Sequence, residues 1–373
     1  MSTEALPEPD RAEGAPHPRE TARLFGQGAA EAEFLEAAAT GRLHHGWLLT
    51  GPQGIGKATL AWRIARFLLA GQAGGDGGLF GAPPPPDSLD VDPEHPVARR
   101  MRALSEPGLF LLRRGPNDRG DRLAQDIRVA EVRKLAGFFA LSAADGGRRV
   151  VIVDAADEMN TQAANALLKM LEEPPARTTM LLVAHQPSRL LPTIRSRCRQ
   201  LRLVPLDAPD MARALEQAGI TSPGDPAALA ELAGGSVGAA VRLVTLDGLT
   251  LYGEWVALME SLPRLDRARA LRLAETSAAR GAEARRDLLF SLIALFLARL
   301  ARTGATGAPP ATPAAPGEAA LLMRLAPDPG RARAWAALAE DVGARLRHGL
   351  AVNLDPAGLL LDTVFRINET AGA

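Results

Sequence analysis

Apolar residues follow two regimes along this chain. Up to about residue 205, short continuous apolar runs alternate with segments of helical period; beyond it only the helical period remains. A fifth strand is expected at 200–204, and the runs at 47–50, 109–112, 150–154 and 179–183 are apolar at successive rather than alternate positions. That is the pattern of strands covered on both faces. Helices are predicted between them at 28–39, 57–70, 127–141 and 161–173, with a short one at 192–197. Leu60, Ile64, Phe67 and Leu68 share one face of the second; Gly41 can end the first, and Pro174-Pro175 stop the fourth. Strands alternating with helices predict a parallel sheet layered between helices. The stretch 71–93, with its four-proline run at 83–86, reads as an insertion loop.

After Pro205 the strand signals stop. Residues 207–246 suit three short helices and 247–373 four or five longer ones, with an Ala-, Pro- and Gly-rich linker at 303–317. Residues 1–20 are acidic and proline-bearing and are expected to be disordered. The predicted order is therefore an α/β module over 21–206, a small helical module over 207–246 and an all-helical module over 247–373. The run 288–296 is too apolar for a lone surface helix: it needs a partner face, in another subunit or in the core of its own module.

The strand at 47–50 feeds Gly51-Pro52-Gln53-Gly54-Ile55-Gly56-Lys57, which fits the phosphate-loop pattern in its proper strand–turn–helix setting. Three glycines let successive backbone N–H groups converge on an anion at a helix N-terminus, and Lys57 can reach outer phosphates. Ala58, however, stands where Ser or Thr holds Mg²⁺. Thr59 is one residue late and points about 100° away round the helix. The strand at 150–154 ends on Asp154, the acid of a Walker B motif, yet Ala155 follows where a water-activating glutamate is expected. Taken alone, Asp154 reads equally well as the cap of a buried strand.

Composition sharpens this picture. The chain has 373 residues, 47% hydrophobic, so two or three packed domains are expected. Forty-three basic residues balance 43 acidic ones, which argues against a protein that wraps nucleic acid unaided. Only Lys57, Lys134 and Lys169 are lysine, so a lysine in the loop stands out against an arginine-rich background. One cysteine, Cys198, excludes an intrachain disulfide and a cysteine-rich zinc site, and His44-His45 read as a surface pair. No run of eighteen apolar residues occurs, and a soluble, cytoplasmic protein with no membrane partner is expected.

Four pieces in order resemble the AAA+ clamp-loader family, and within it the delta-prime subunits of bacterial DNA polymerase III. They are residues 45–52, residues 154–160 (Asp-Ala-Ala-Asp-Glu-Met-Asn), the Asn-Ala-Leu-Leu-Lys segment from Asn165 to Pro175, and Ser196-Arg197-Cys198. The resemblance covers residues 21–373, the helical end in pattern only. It implies a P-loop domain, a helical lid over 207–246 and an oligomerising collar over 247–373. It also implies a stator that helps load a sliding clamp onto primed DNA within a polymerase holoenzyme, itself a nucleotidyltransferase complex. The implied partners are the ATP-hydrolysing motor subunits, the clamp-opening subunit, the sliding clamp and, through the complex, DNA.

By the same resemblance Arg197, otherwise a solvated basic turn, becomes an arginine finger acting in trans. Gly51, Gly54, Gly56, Lys57, Thr59 and Asp154 become a degenerate site for ATP or ADP. No zinc is expected, because the stretch matching 71–100 has no cysteine, and no other metal. Gly238 stands where a motor subunit carries its sensor arginine. The competing reading is an active P-loop ATPase, a motor subunit or a stand-alone NTPase. Ala58, Ala155 and Gly238 all count against it. A stand-alone DNA-binding module fits poorly with zero net charge.

Overall fold

A computed structural model describes residues 6, 8–40, 43–71, 86–140, 147–222 and 224–372. Its first unit holds helix α1 (Gly28–Ala39), strand β1 (Gly46–Thr50), α2 (Lys57–Leu69), α3 (Pro96–Arg102), β2 (Leu109–Arg113) and α4 (Val129–Ala140). It continues through β3 (Arg149–Asp154), α5 (Thr161–Glu172), β4 (Thr178–Ala184), α6 (Pro192–Arg195), β5 (Arg199–Arg202) and α7 (Ala208–Gln217). The five strands form one parallel sheet in the order β2-β3-β4-β1-β5. Every residue of β1 and β4 is buried, as their unbroken apolar runs require.

Helix α5 shows how local signals and packing agree. Asn160 caps it, its side chain accepting from the Ala163 N–H at 2.9 Å. Ala163, Ala164, Leu167 and Leu171 form its buried face, and the helix ends just before the two prolines. That face packs into a core shared with Leu48, Val151, Val153, Met180 and Leu182 of the sheet.

Several expectations shift by a residue or two. The helix predicted at 127–141 spans Val129–Ala140, because Ile127 bridges to Met159 instead of joining it; residue 141 lies outside the described residues. The final strand ends at Arg202, and α3 was not foreseen. Residues 41 and 72–85, the latter most of the expected insertion loop, also lie outside the described residues. The expectation of disorder at 1–20 fails for residues 8–20, which fold against α2 and β2. Ion pairs rather than an apolar pattern hold them, so hydrophobic periodicity could not reveal them. Residues 1–5 and 7 are not described.

Compactness separates a second unit, residues 220–235 and 239–373, from the first, residues 1–219 and 236–238. Its helices are α8 (Pro226–Ala233), α9 (Val237–Thr245, whose first two residues belong to the first unit), α10 (Gly248–Met259), α11 (Arg267–Ala278), α12 (Glu283–Thr306), α13 (Glu318–Leu325), α14 (Pro329–Ala351) and α15 (Pro356–Gly372). The apolar run at 288–296 lies in α12, where Leu288, Leu289, Leu292, Ile293 and Phe296 are buried inside this unit. Its partner face is thus its own domain core, with α10, α13 and α14 around it.

Helix α12 is long and apolar enough to cross a membrane by composition, but Arg299 in its second half sits in a buried ion pair with Glu318 at 2.8 Å. The linker expected at 303–317 begins later than predicted. Thr303 and Gly304 are buried in α12, where the lack of a side chain lets Gly304 approach the Asp328 carbonyl and Ala332 of α14. Ala314 N–H donates to Glu318 at 2.6 Å, so this small-residue stretch is tied down.

Candidate nucleotide site and the Arg197 corner

In a parallel sheet, ligands bind outside the carboxyl ends of the strands, where the chain crosses in opposite directions. Here β1 and β3 flank β4 and end on the glycine loop and on Asp154 respectively. Gly51, Gly54 and Gly56 all have positive φ, at 140°, 78° and 99°. A Cβ at Gly51 would come within 2.7 Å of the Leu203 carbonyl, and one at Gly54 would collide with Ser236 Oγ. Both positions therefore demand glycine on conformation and on space. Loop shape is retained in full.

Its lysine is engaged elsewhere. Lys57 is 2% exposed, and its Nζ donates to the carbonyls of Gly51, at 2.7 Å, and of Pro52. Burial pulls the ammonium down to about 8, against the opposing pull of Asp154 and Asp157. Burial, then the nearby carboxylates of Asp10 and Glu158, push Asp154 up to about 7, with Lys57 opposing. Asp157 accepts from the backbone N–H groups of His185 and Gln186, at 3.0 and 2.9 Å, tying the end of β3 to the end of β4. It braces the site and is not a free base.

Lys57, Thr59, Asp154, Gly54 and Gly56 line one cavity of about 390 Å³. Thr59 therefore reaches the cavity wall despite its register, beside Ala58. Gly238 lines it as well, its N–H donating to the Gly54 carbonyl at 3.3 Å, with no side chain to offer a phosphate. The cradle fits phosphate oxygens; the metal position fits Mg²⁺ poorly, lacking the hydroxyl at 58. Among the described residues no cluster of His, Cys, Asp and Glu forms a metal site.

Two wall residues escaped the sequence reading. His185 follows β4, and burial with the Lys57 charge pulls its imidazole down to about 4, so it is neutral. Its place at the carboxyl end of a central strand was the available signal. Asp10 belongs to the N-terminal segment and had none.

Arg197 lies elsewhere. Trp47 pairs with Arg199 and Thr50 with Arg202, so the chain enters β5 at the edge of the sheet opposite the loop. The Arg197 carbonyl would sit 3.2 Å from a Cβ on Gly46, five residues before Gly51. At about 3.3 Å per residue, roughly 17 Å separate it from the loop. Its guanidinium pairs with Glu172 at 2.9 Å and donates to the Thr193 carbonyl at 3.1 Å, with 39% of the side chain exposed. Cys198 beside it is a free thiol that burial pushes up to about 12.

A family profile described as "DNA polymerase III, delta subunit" matches residues 26–207, the stretch that carries the loop, Asp154 and Arg197. The delta-prime subunit of Pseudomonas aeruginosa is 38% identical over 222 residues, 59% of this chain and 61% of that protein. Over residues 26–207, then, the chain is similar to the DNA polymerase III delta-prime subunits. The Escherichia coli delta-prime subunit is 32% identical over 240 residues, 60% of this chain and 65% of that protein. The chain thus matches under two thirds of the length of either relative. A solved gamma-subunit-related protein of Thermotoga maritima aligns over 91% of this chain and 99% of its own, at 18% identity and a TM-score of 0.36. So loose a likeness bears on neither site nor activity.

Proposed function

We propose that this chain is the non-hydrolysing stator of a DNA polymerase III clamp loader, which helps open a sliding clamp and set it on primed DNA. On this reading it binds the gamma/tau-type motor subunits and the clamp-opening subunit in the cytoplasm. Residues 207–246 act as a lid and 247–373 as the collar that joins the complex. Arg197 reaches the ATP held by a neighbouring motor subunit, where a planar guanidinium can neutralise charge spread over the phosphate oxygens in the transition state.

The observation that carries the proposal is the separation of the two chemistries. The chain's own loop lacks the Mg²⁺ hydroxyl and the water-activating acid, while its exposed arginine stands at the far edge of the sheet and cannot serve that loop. At that loop ATP or ADP would meet backbone amides, Lys57 and a wall that includes Thr59 and Asp154, with no hydroxyl at 58 to hold Mg²⁺. An active ATPase, the competing reading, would need the groups replaced by Ala58, Ala155 and Gly238.

The test is the reconstituted complex carrying Arg197→Ala, with Arg195→Ala as a neighbouring control. An arginine finger contributes about 10³–10⁵ in rate at its own interface. The loss for the whole complex should be smaller, because motor–motor interfaces keep their own arginines. Assembly should be unchanged, and the isolated chain should turn over no ATP. Wild-type clamp loading and ATP hydrolysis by the Arg197→Ala complex would refute the finger. Turnover by the isolated chain that Lys57→Ala abolishes would refute the stator.

A further inference from the structure

The cavity over the glycine loop has a wall that the loop itself does not supply. Pro9, Asp10, Ala15, Pro16 and Pro18 line it together with Lys57. We propose that residues 8–20 are an intramolecular ligand of this cavity: an acidic cover that stands where a nucleotide's phosphates and cation would lie and keeps nucleotide out.

The cover is latched by charge. Asp10, with a fully buried carboxylate, pairs with His17 Nε2 at 3.1 Å and with Arg113, the last residue of β2. Arg113 is the register partner of Asp154, so Asp10 is held above the end of β3 beside that acid. Glu8 pairs with Arg19 at 2.6 Å, and the Arg19 carbonyl accepts from Arg66 of α2 at 3.0 Å. His17 is fully buried, its ring edge-on to Trp62 of α2 at 5.7 Å. Prolines 9, 16 and 18 restrict the unbound segment, which lowers the entropy lost on docking.

Charge then decides what can share the cavity. The His17 hydrogen bond and the Arg113 charge outweigh burial and hold Asp10 below the ordinary carboxylate range, so it is an anion at neutral pH. A polyphosphate without a well-held Mg²⁺ would bring a further anion beside Asp10. Nor is the loop's cation waiting for one, since Lys57 is satisfied by the carbonyls of Gly51 and Pro52. An empty loop held in its bound shape by its own chain would let the subunit stay rigid without nucleotide.

The experiment uses the full chain with ADP, with and without Mg²⁺, read by titration calorimetry and by amide exchange of residues 8–20. Wild type should show no saturable binding, and ADP should leave exchange in the segment unchanged. His17→Asp sets a third acid beside Glu8 and Asp10. It should speed exchange in 8–20, leave β1, β3 and β4 protected, and give saturable ADP binding at least about tenfold tighter than the weakest binding the titration would detect in wild type, about 1.4 kcal/mol. Adding Lys57→Ala should remove the gain. Arg113→Gln removes the Asp10 cation without touching the Trp62 packing and should act in the same direction should the histidine variant unfold.

A segment that stays protected in both variants refutes the latch. Equal ADP affinity with the segment released refutes the cover. ADP binding to wild type that slows exchange in 8–20 would make the segment a clamp on nucleotide, also against the proposal. None of these results bears on Arg197, which is read in the assembled complex.

Discussion

Replacing Asp154 by asparagine should stabilise the first unit at alkaline pH and leave it nearly unchanged in acid. The carboxyl is raised in the folded chain from 3.8 to about 7. Below the lower value both folded and unfolded chains carry the proton, so wild type and variant should match. Between the two values the native chain keeps a proton that the unfolded chain has lost, so each rise in pH costs stability. Above about 7 the cost is complete. At about 1.4 kcal/mol per pH unit it amounts to about 4 kcal/mol. Lys57 reduces the gain, because removing Asp154 takes away an acid that offsets its own burial. A net stabilisation between about 1 and 4 kcal/mol is expected at about pH 8.5, and close to zero at about pH 4. The assay is urea unfolding at the two pH values, each point pulse-labelled by amide exchange under one common condition. Peptides of β3 and β4 then report the unit that holds Asp154 and not the helical one. A variant-minus-wild-type difference that is the same at both pH values would falsify the burial of an acid among Asp10, Glu158 and Asp157.

Two further outcomes follow from buried groups outside the cavity. Arg299→Ala should cost about 3–5 kcal/mol, because it leaves Glu318, at 0% exposure, without its cation. Amide exchange in α10 and α13 should rise, and a loss under about 1 kcal/mol would contradict the network of Arg299, Glu318 and Tyr252. Cys198, pushed up to about 12, should react with a disulfide reagent about a thousandfold more slowly at neutral pH than an unperturbed thiol. A free-cysteine rate in the folded chain would show that the corner beside Arg197 opens.

Much of the first unit was legible from the chain alone, because its signals are local. Apolar runs announced a parallel sheet, which the five strands form; β1, β3 and β4 at its centre are buried on both faces, while the edge strand β5 is exposed at three of its four residues. Three glycines before Lys57 define a loop whose positive φ values exclude other residues, and the missing hydroxyl at Ala58 is plain in the sequence. What tertiary structure decided is where charges end up, since pairing partners far apart in sequence leave no periodic trace. Asp10 meets Arg113 across 103 positions, Arg299 meets Glu231 across 68, and Glu172 meets Arg197 because α5 packs against α6, which Arg197 follows. Whether the run at 288–296 faced another subunit or its own domain was likewise undecided by hydrophobicity, which measures the need for burial and not its address. Residues 8–20 carry the same lesson: their composition reads as disorder, and half-buried cations on α2 and β2 give such a segment a fixed place.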